Sequence, residues 1–313
     1  AKAFLRQRPV QLIKAKKNEA PEVLETETGW EIRAKSLSLE VNKALGVIEN
    51  ICLNGRVQIL RGPQLNIWRA ATDNDGLKLF PVVGWGGDRI LDHWRKAGYD
   101  QMELAKTSIS IGTVDRSVEI TIEQKWRCPG AKRFITHQHR YLVKPDGTIA
   151  VANQFEIDRK LPELPRIGVS LILPKEAEQL EWFGRGPWES YSDRQHSAML
   201  AHYCSTVTEQ YVPYIVPQEH GNKTDVRWIQ LHNGKAQGVR FTAAKPMSAS
   251  ASHYTAADLF AAKHTSDLNP RPEVHVNLDL AQRGLGTGSC GPDTLPRYRI
   301  APGEYQFDFT ISA

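Results

Sequence analysis

"RFITHQHRYLVKPDGTIAVANQFEI", residues 133–157, decides the fold class. Side chains change character at every second position on either side of its centre, the period at which a strand sends successive residues to opposite faces. At the centre, Lys144-Pro145-Asp146-Gly147-Thr148 supplies a fixed φ, a local side-chain acceptor and a residue free to take positive φ, as a tight reversal requires. Two strands and a turn follow. The same period recurs outward in "WEIRAKSLSLEV" (30–41), "SVEITIEQKW" (117–126) and "EVHVNLDL" (273–280), with "LNGR" as a second turn. Only two stretches read as helices. "DRILDHWRKAG" puts Ile90, Leu91 and Trp94 on one face and stops at Gly98, and "TAADLFAAKHT" opens with Thr255 and Asp258 at capping-box spacing. With no internal repeat and no parallel βαβ alternation, the expectation is an all-β antiparallel protein. Residues 1–27 lack strand periodicity and read as an incoming linker, leaving 28–313 as one large unit.

Apolar residues make up 41% and charged residues 24% of the 313 positions, ordinary values for a globular chain able to bury an ample core. No run of eighteen apolar residues is present, and the N-terminal stretch lacks the apolar region of a signal peptide. The net charge of +5 is mild and mixed in sign along the chain, which argues against nucleic acid or a membrane as partner. Cys52, Cys128, Cys204 and Cys290 are far apart, without C-x-x-C spacing, so neither a zinc site nor a disulfide framework is expected. Free thiols suit the cytoplasm, with the periplasm as the alternative compartment.

Near the end, "DLAQRGLGTGSCGPDTLP" (279–296) carries Gly284, Gly286, Gly288 and Gly291 within eight positions. A dinucleotide fingerprint needs a helix after its glycines to hold the pyrophosphate. Pro292 and Pro296 follow instead, then a stretch that alternates like a terminal strand, so the segment is an interstrand loop.

Three further loops are richer than plain connections need. The first, 68–90, holds Asp73, Asn74 and Asp75, without the calcium-loop glutamate twelve positions along. Its glycine-flanked portion, 76–87, is a lid candidate by its length. "WFGRGPWESYSDR" (182–194) offers aromatic faces, Arg185, Arg194, Glu189 and Asp193. "EQYVPYIVPQEHGNKTDVRW" (209–228) offers Tyr211, Tyr214, Glu219, His220, Asn222 and Asp225. Flat rings for C–H faces and planar polar groups for hydroxyls are what sugars require. Neither a G-x-S-x-G nor an H-E-x-x-H motif is present. Glu189 and Glu219 could form a glycosidase pair only at a separation that sequence does not supply.

"WRAATDNDG", "WFGRGPWESYSDR", "YVPYIVPQEHGNKTDVRW", "YTAADLFAAKHT" and "VHVNLDLAQRGLGTGSCGP", in that order, resemble the C-terminal, small-chain domain of glycoside hydrolase family 2 β-galactosidases over residues 29–313. The resemblance implies a large antiparallel β super-sandwich of galactose mutarotase type. It also implies that the catalytic glutamates lie upstream in a TIM barrel, that residues 1–27 end a preceding immunoglobulin-like domain or its linker, and that this chain alone is inactive. No catalytic residue and no metal ligand is expected in it; magnesium and sodium belong to the complete enzyme, a homo-oligomer acting on galactosides. In the family the glycine-rich loop reaches the sugar and commonly presents a Trp between Ser and Gly or Ser; here Ser289, Cys290 and Gly291 stand in that register. Gly288, Ser289 and Cys290 are therefore substrate-binding candidates, with Asp75, Glu219 and His220. The alternatives are a stand-alone carbohydrate-binding module and an aldose mutarotase-like enzyme using His220 with Glu219 or Glu189.

Overall fold

The structure, a computed structural model, describes residues 19–79, 89–235 and 238–313. Its strands are β1 (Glu22–Thr26), β2 (Gly29–Ala34), β3 (Leu37–Asn42), β4 (Val47–Leu53), β5 (Arg56–Asn66), β6 (Glu103–Val114), β7 (Ser117–Cys128) and β8 (Arg133–Val143). Then come β9 (Ile149–Ile157), β10 (Arg166–Leu173), β11 (Gln179–Gly186), β12 (Met199–Thr206), β13 (Lys223–His232), β14 (Gly238–Ser252), β15 (Val274–Gln282) and β16 (Glu304–Ser312). Two helices interrupt them, α1 (Ile90–Ala97) and α2 (Ala256–Ala261). The protein is all-β with two short helices, as the alternation predicts.

Every pairing is antiparallel, and one hydrogen-bonded path runs β1-β2-β3-β4-β5-β10-β15-β14-β16-β9-β8-β7-β6. The fifteen-residue β14 makes this possible by changing partners along its length. Its first part, Arg240 to Ala243, pairs with β16, and its second, Ser248 to Ser252, pairs with β15. Pro246, which has no N–H to give a ladder, lies between them. On its other side β14 pairs with β13, which carries β11 and then β12 as an edge. Inward residues from both arms, among them Ile32, Ile59, Ile120, Phe155, Val169, Phe241 and Val276, join one apolar cluster.

The predicted hairpin at 144–148 is present: Lys144 N–H donates to the Thr148 carbonyl and Gly147 N–H to the Lys144 carbonyl. So is the 53–56 turn, where Asn54 and Gly55 both take positive φ, as the right-handed twist of paired strands demands. Both helix signals hold. α1 closes on Gly98 at φ 85, and Thr255 and Asp258 exchange both capping-box bonds at α2.

Two readings need correction. Residues 30–41 are two strands, β2 and β3, reversing at Lys35 with φ 43. The buried side chains change parity there, from Ile32 and Ala34 to Leu37, Leu39 and Val41, which is the trace a hairpin leaves when no glycine or proline marks it. The second concerns the 1–27 stretch, which contains β1. It pairs along its whole length with β2, but as an edge strand exposed on both faces it has no burial alternation to betray it.

Candidate functional site

The loops singled out above meet at one end of the sheet, held by buried charge. After β5, Arg69 is wholly buried and donates through Nη2 and Nε to the two oxygens of Asp75, at 2.6 and 3.1 Å. Asp75 also accepts from Thr72 N–H and Oγ1, closing a turn that leaves Asp73 and Asn74 at its outer edge. Asp75 is itself inaccessible, with both oxygens taken, and so acts as the bolt of this turn. Arg69 Nη1 reaches the Arg283 carbonyl at 2.5 Å, fastening the first loop to the root of the glycine loop. Arg283, also fully buried, spans that root by donating to Thr294 Oγ1 and both oxygens of Asp293.

The glycine loop is gripped from two sides. Asp193, in the second loop, accepts from Leu285 N–H at 2.9 Å and Gly286 N–H at 2.7 Å. Asn74 donates to the Gly286 carbonyl at 3.0 Å and accepts from Ser289 N–H and Oγ at 3.1 and 2.8 Å. The glycines are needed for these approaches. Gly286 sits at φ 65, and a Cβ on Gly288 would lie 2.5 Å from the Asn74 carbonyl oxygen. Close packing of loop on loop, with no phosphate cradle, accounts for the glycine cluster.

A cleft of about 220 Å³ opens where these loops meet. Thr72, Asp73 and Asn74 line it from the first loop, Tyr191 and Arg194 from the second, Tyr214, Gln218 and Glu219 from the third, and Leu285 and Ser289 from the glycine loop. Of the predicted substrate-binding residues, Glu219 and Ser289 face this cleft. Gly288, Cys290, Asp75 and His220 are not in its lining; Cys290 is exposed beside it in sequence, at the loop tip. His220 Nδ1 is fixed by the Gln218 carbonyl at 2.9 Å, and its ring stands edge-on to Tyr211. The lid candidate, 76–87, lies outside the described residues from position 80 onward. A larger hollow of about 350 Å³ on the outer face of β6–β9 is lined by alternating Lys, Glu, Gln, Ser and Thr with no aromatic surface, and reads as a solvated sheet face.

Both candidate glutamates are already engaged. Glu189 accepts from Arg194 Nη2, Tyr214 Oη and Gly221 N–H. Glu219 accepts from Gln282 Nε2 at 3.0 Å and lies 3.5 Å from Arg166 Nη1. Arg166 in turn donates to Asp279 at 2.8 Å, so one buried guanidinium faces two buried carboxylates. Burial pushes Asp279 up to about 7, with the Glu219 charge adding to the push and Arg166 opposing it. Beneath the cleft, Lys78 Nζ gathers the carbonyls of Pro217, Leu259, Phe260 and Ala262 at 2.6–3.0 Å. Three of these are end-of-helix carbonyls of α2 that have no intrahelical partner.

Several buried polar atoms in this region have no hydrogen-bond partner among the described residues: Tyr191 Oη, Ser192 Oγ, His220 Nε2, Asn222 Oδ1, Asp279 Oδ1 and Gln282 Oε1. These atoms are covered by protein, and of their residues only Tyr191 lines the cleft. Sequence reasoning missed Arg69, Arg166, Asp279 and Arg283. The one available signal was a charged residue inside a strand: β15 carries His275 and Asn277 on its half-buried face, and Asp279, next on that face, is fully covered.

The sequence model of the family described as Beta galactosidase small chain matches residues 33–311. The chain is 30% identical over 274 residues to a β-galactosidase of Actinobacillus pleuropneumoniae, covering 88% of this chain and 26% of that protein. It is 28% identical over 293 residues to one of Staphylococcus xylosus, covering 93% and 28% respectively. The chain thus spans about a quarter of the length of the curated relatives it matches. Among solved structures, a galactose 1-epimerase from Lactobacillus acidophilus NCFM aligns with TM-score 0.44 and 8% identity, over 94% of this chain and 98% of that one. A glycoside hydrolase family 97 enzyme of Pseudoalteromonas aligns with TM-score 0.42 and 10% identity, over 93% and 35%.

Proposed function

Because the chain belongs to the β-galactosidase small-chain family, we propose that it forms one wall of the galactoside pocket of a retaining β-galactosidase of glycoside hydrolase family 2 without supplying the catalytic carboxylates. The observation that carries this reading is the meeting of four sequence-distant loops in one cleft. Tyr214 brings a half-buried ring to it, and Asn74, Arg194, Gln218 and Ser289 bring polar side chains of the kind that take hydroxyls. A retaining hydrolase needs two carboxyl groups about 5–5.5 Å apart, one acting as acid and the other as nucleophile. Glu189 and Glu219 are each tied to arginine and further donors, which supports placing the catalytic pair in the rest of the enzyme, in a TIM barrel. The unit is 28–313, and 1–27 is the incoming chain, whose last residues add β1 to the sheet edge.

Magnesium and sodium belong, in this reading, to the remainder of the enzyme. They take oxygen-rich shells, whereas the cleft lining holds two carboxylates, Asp73 and Glu219, the latter already engaged by Gln282 and Arg166, and the neighbouring Glu189 and Asp193 are occupied by N–H, guanidinium and hydroxyl donors. The complete enzyme is a homo-oligomer in the cytoplasm, the periplasm being the alternative. Among the described residues no helix is long and apolar enough to cross a membrane.

The test is hydrolysis of a chromogenic β-galactoside by the purified chain. No turnover is expected, and turnover by the isolated chain would refute the reading. A stand-alone sugar-binding module is the second reading, favoured by a cleft lined by aromatic and polar side chains within this one chain. It requires galactose or lactose to shift resonances of cleft residues in this chain alone, where the first reading expects none. A mutarotase-like activity has less support, since His220 is turned away from the cleft lining.

A further inference from the structure

On the outer face of β11, β12 and β13, away from the loops of the cleft, the register collects a different set of groups. Glu181 of β11 lies directly opposite Cys204 of β12, and His202 follows two positions along on the same face. Across the other edge of β11, Glu181 lies opposite Gln230, with His232 two positions along. One oxygen of Glu181 is 3.0 Å from His202 Nε2, and Cys204 Sγ is 3.9 Å from that nitrogen. The ligand-capable atoms of Glu181, His202 and Cys204 all lie within 4.8 Å of one another. The second Glu181 oxygen is 3.0 Å from His232 Nε2. Because His232 Nδ1 accepts from Gly234 N–H at 3.1 Å, its proton is on Nε2 and is donated to Glu181.

We propose that Glu181, His202 and Cys204 bind a divalent transition-metal ion of the zinc type, with His232 orienting the Glu181 carboxylate and one coordination position left to water. Bonds of about 2.0–2.3 Å to a tetrahedral zinc place ligand atoms roughly 3.3–3.8 Å apart. The Glu181–His202 and His202–Cys204 spacings of 3.0 and 3.9 Å need only tenths of an ångström of adjustment, and the Glu181–Cys204 spacing, within 4.8 Å, closes by at most about 1 Å through rotation of the exposed Cys204 side chain. A thiolate, an imidazole and a carboxylate select zinc, cobalt or nickel over magnesium and calcium. His232 does what outer-shell partners of metal sites do, holding a ligating carboxylate through its free oxygen. Among the described residues, the ion pairs of Glu181 are with these two histidines and include no Lys or Arg. His202 is 51% exposed and Cys204 is exposed, so an ion can enter from solvent. Binding releases the Cys204 thiol proton to solvent, so affinity rises with pH. The consequence is mechanical. Among the described residues β12 pairs with β11 alone, and an ion bridging the two would pin this edge strand.

The test is equilibrium dialysis of the tag-free, reduced chain against Zn²⁺, paired with Co²⁺ absorption. One ion per chain is expected, with a thiolate-to-cobalt charge-transfer band that C204S abolishes. H202A should lose binding, and H232Q should weaken it by about 10–100-fold. In the unsubstituted chain, Zn²⁺ should slow alkylation of Cys204 and leave Cys290 unchanged, a readout that does not depend on any variant folding. Absence of stoichiometric binding, binding that survives H202A and C204S, or alkylation of Cys204 indifferent to Zn²⁺ would each overturn the proposal.

Discussion

Asp75, Asp193 and Asp279 show how three carboxylates at one site do different work. Asp75 neutralises Arg69 in a volume closed to solvent, with Arg283 Nη1 3.8 Å away. Asp75→Asn would leave the buried Arg69 guanidinium without its counter-charge, Arg283 keeping Asp293, and is expected to cost about 3–5 kcal/mol in denaturant unfolding. Asp193 orders the glycine loop; Asp193→Ala is expected to cost about 1–3 kcal/mol and to speed hydrogen exchange at the Leu285 and Gly286 amides. Asp279 adds a pH dependence. Its carboxyl is pushed up to about 7 by burial, so the folded chain keeps a proton that the unfolded chain releases above about pH 4. That contribution is complete below about pH 4 and is lost as pH rises through 7. Asp279→Asn should remove this downward slope, seen by comparing unfolding free energies of the two proteins from pH 4 to 8.

At the scale of one strand, β8 carries the opposite slope. Its inward face reads Ile135, His137, His139, Tyr141, Val143, and the two imidazoles are stacked 4.5 Å apart with His137 also against Phe155. Burial pushes His137 down to about 4 and His139 well below its ordinary value. The unfolded chain therefore takes up protons below about pH 6.5 that the folded chain refuses, so stability is full above that pH and is lost as pH falls toward 4. His137→Gln, which keeps a partner for Asn153, should flatten the acid limb by an amount of order 1–3 kcal/mol at pH 4. The strands legible in the sequence, β7, β8, β9 and β15, have one face in the core, so their residues alternate. β1 was illegible because neither of its faces is buried, and the β2–β3 reversal because Lys35 turns without glycine. The loops stood out singly by composition, and as a set only through their resemblance to the family whose model matches residues 33–311. The buried arginines beneath them could not, because Arg69 and Arg283 look like surface residues until their own loops fold Asp75 and Asp293 back onto them and Arg69 reaches the Arg283 carbonyl across the fold.

For the whole molecule, the sheet is a frame that carries four loops to one end. The chain spans about a quarter of the length of its relatives, and under the proposed function its cleft works only when the remainder of the enzyme covers it. Cys290 reports on that directly, since it is exposed at the tip of the glycine loop that reaches the cleft through Ser289. The decisive measurement is site-resolved maleimide labelling of Cys290, read by peptide mass spectrometry, in the isolated chain and in the complete β-galactosidase, with and without galactose. Rapid labelling in the isolated chain, slow labelling in the complete enzyme and further protection by galactose are expected. Equal labelling in both forms, unaffected by galactose, would contradict the assignment of this loop and its cleft to the galactoside pocket.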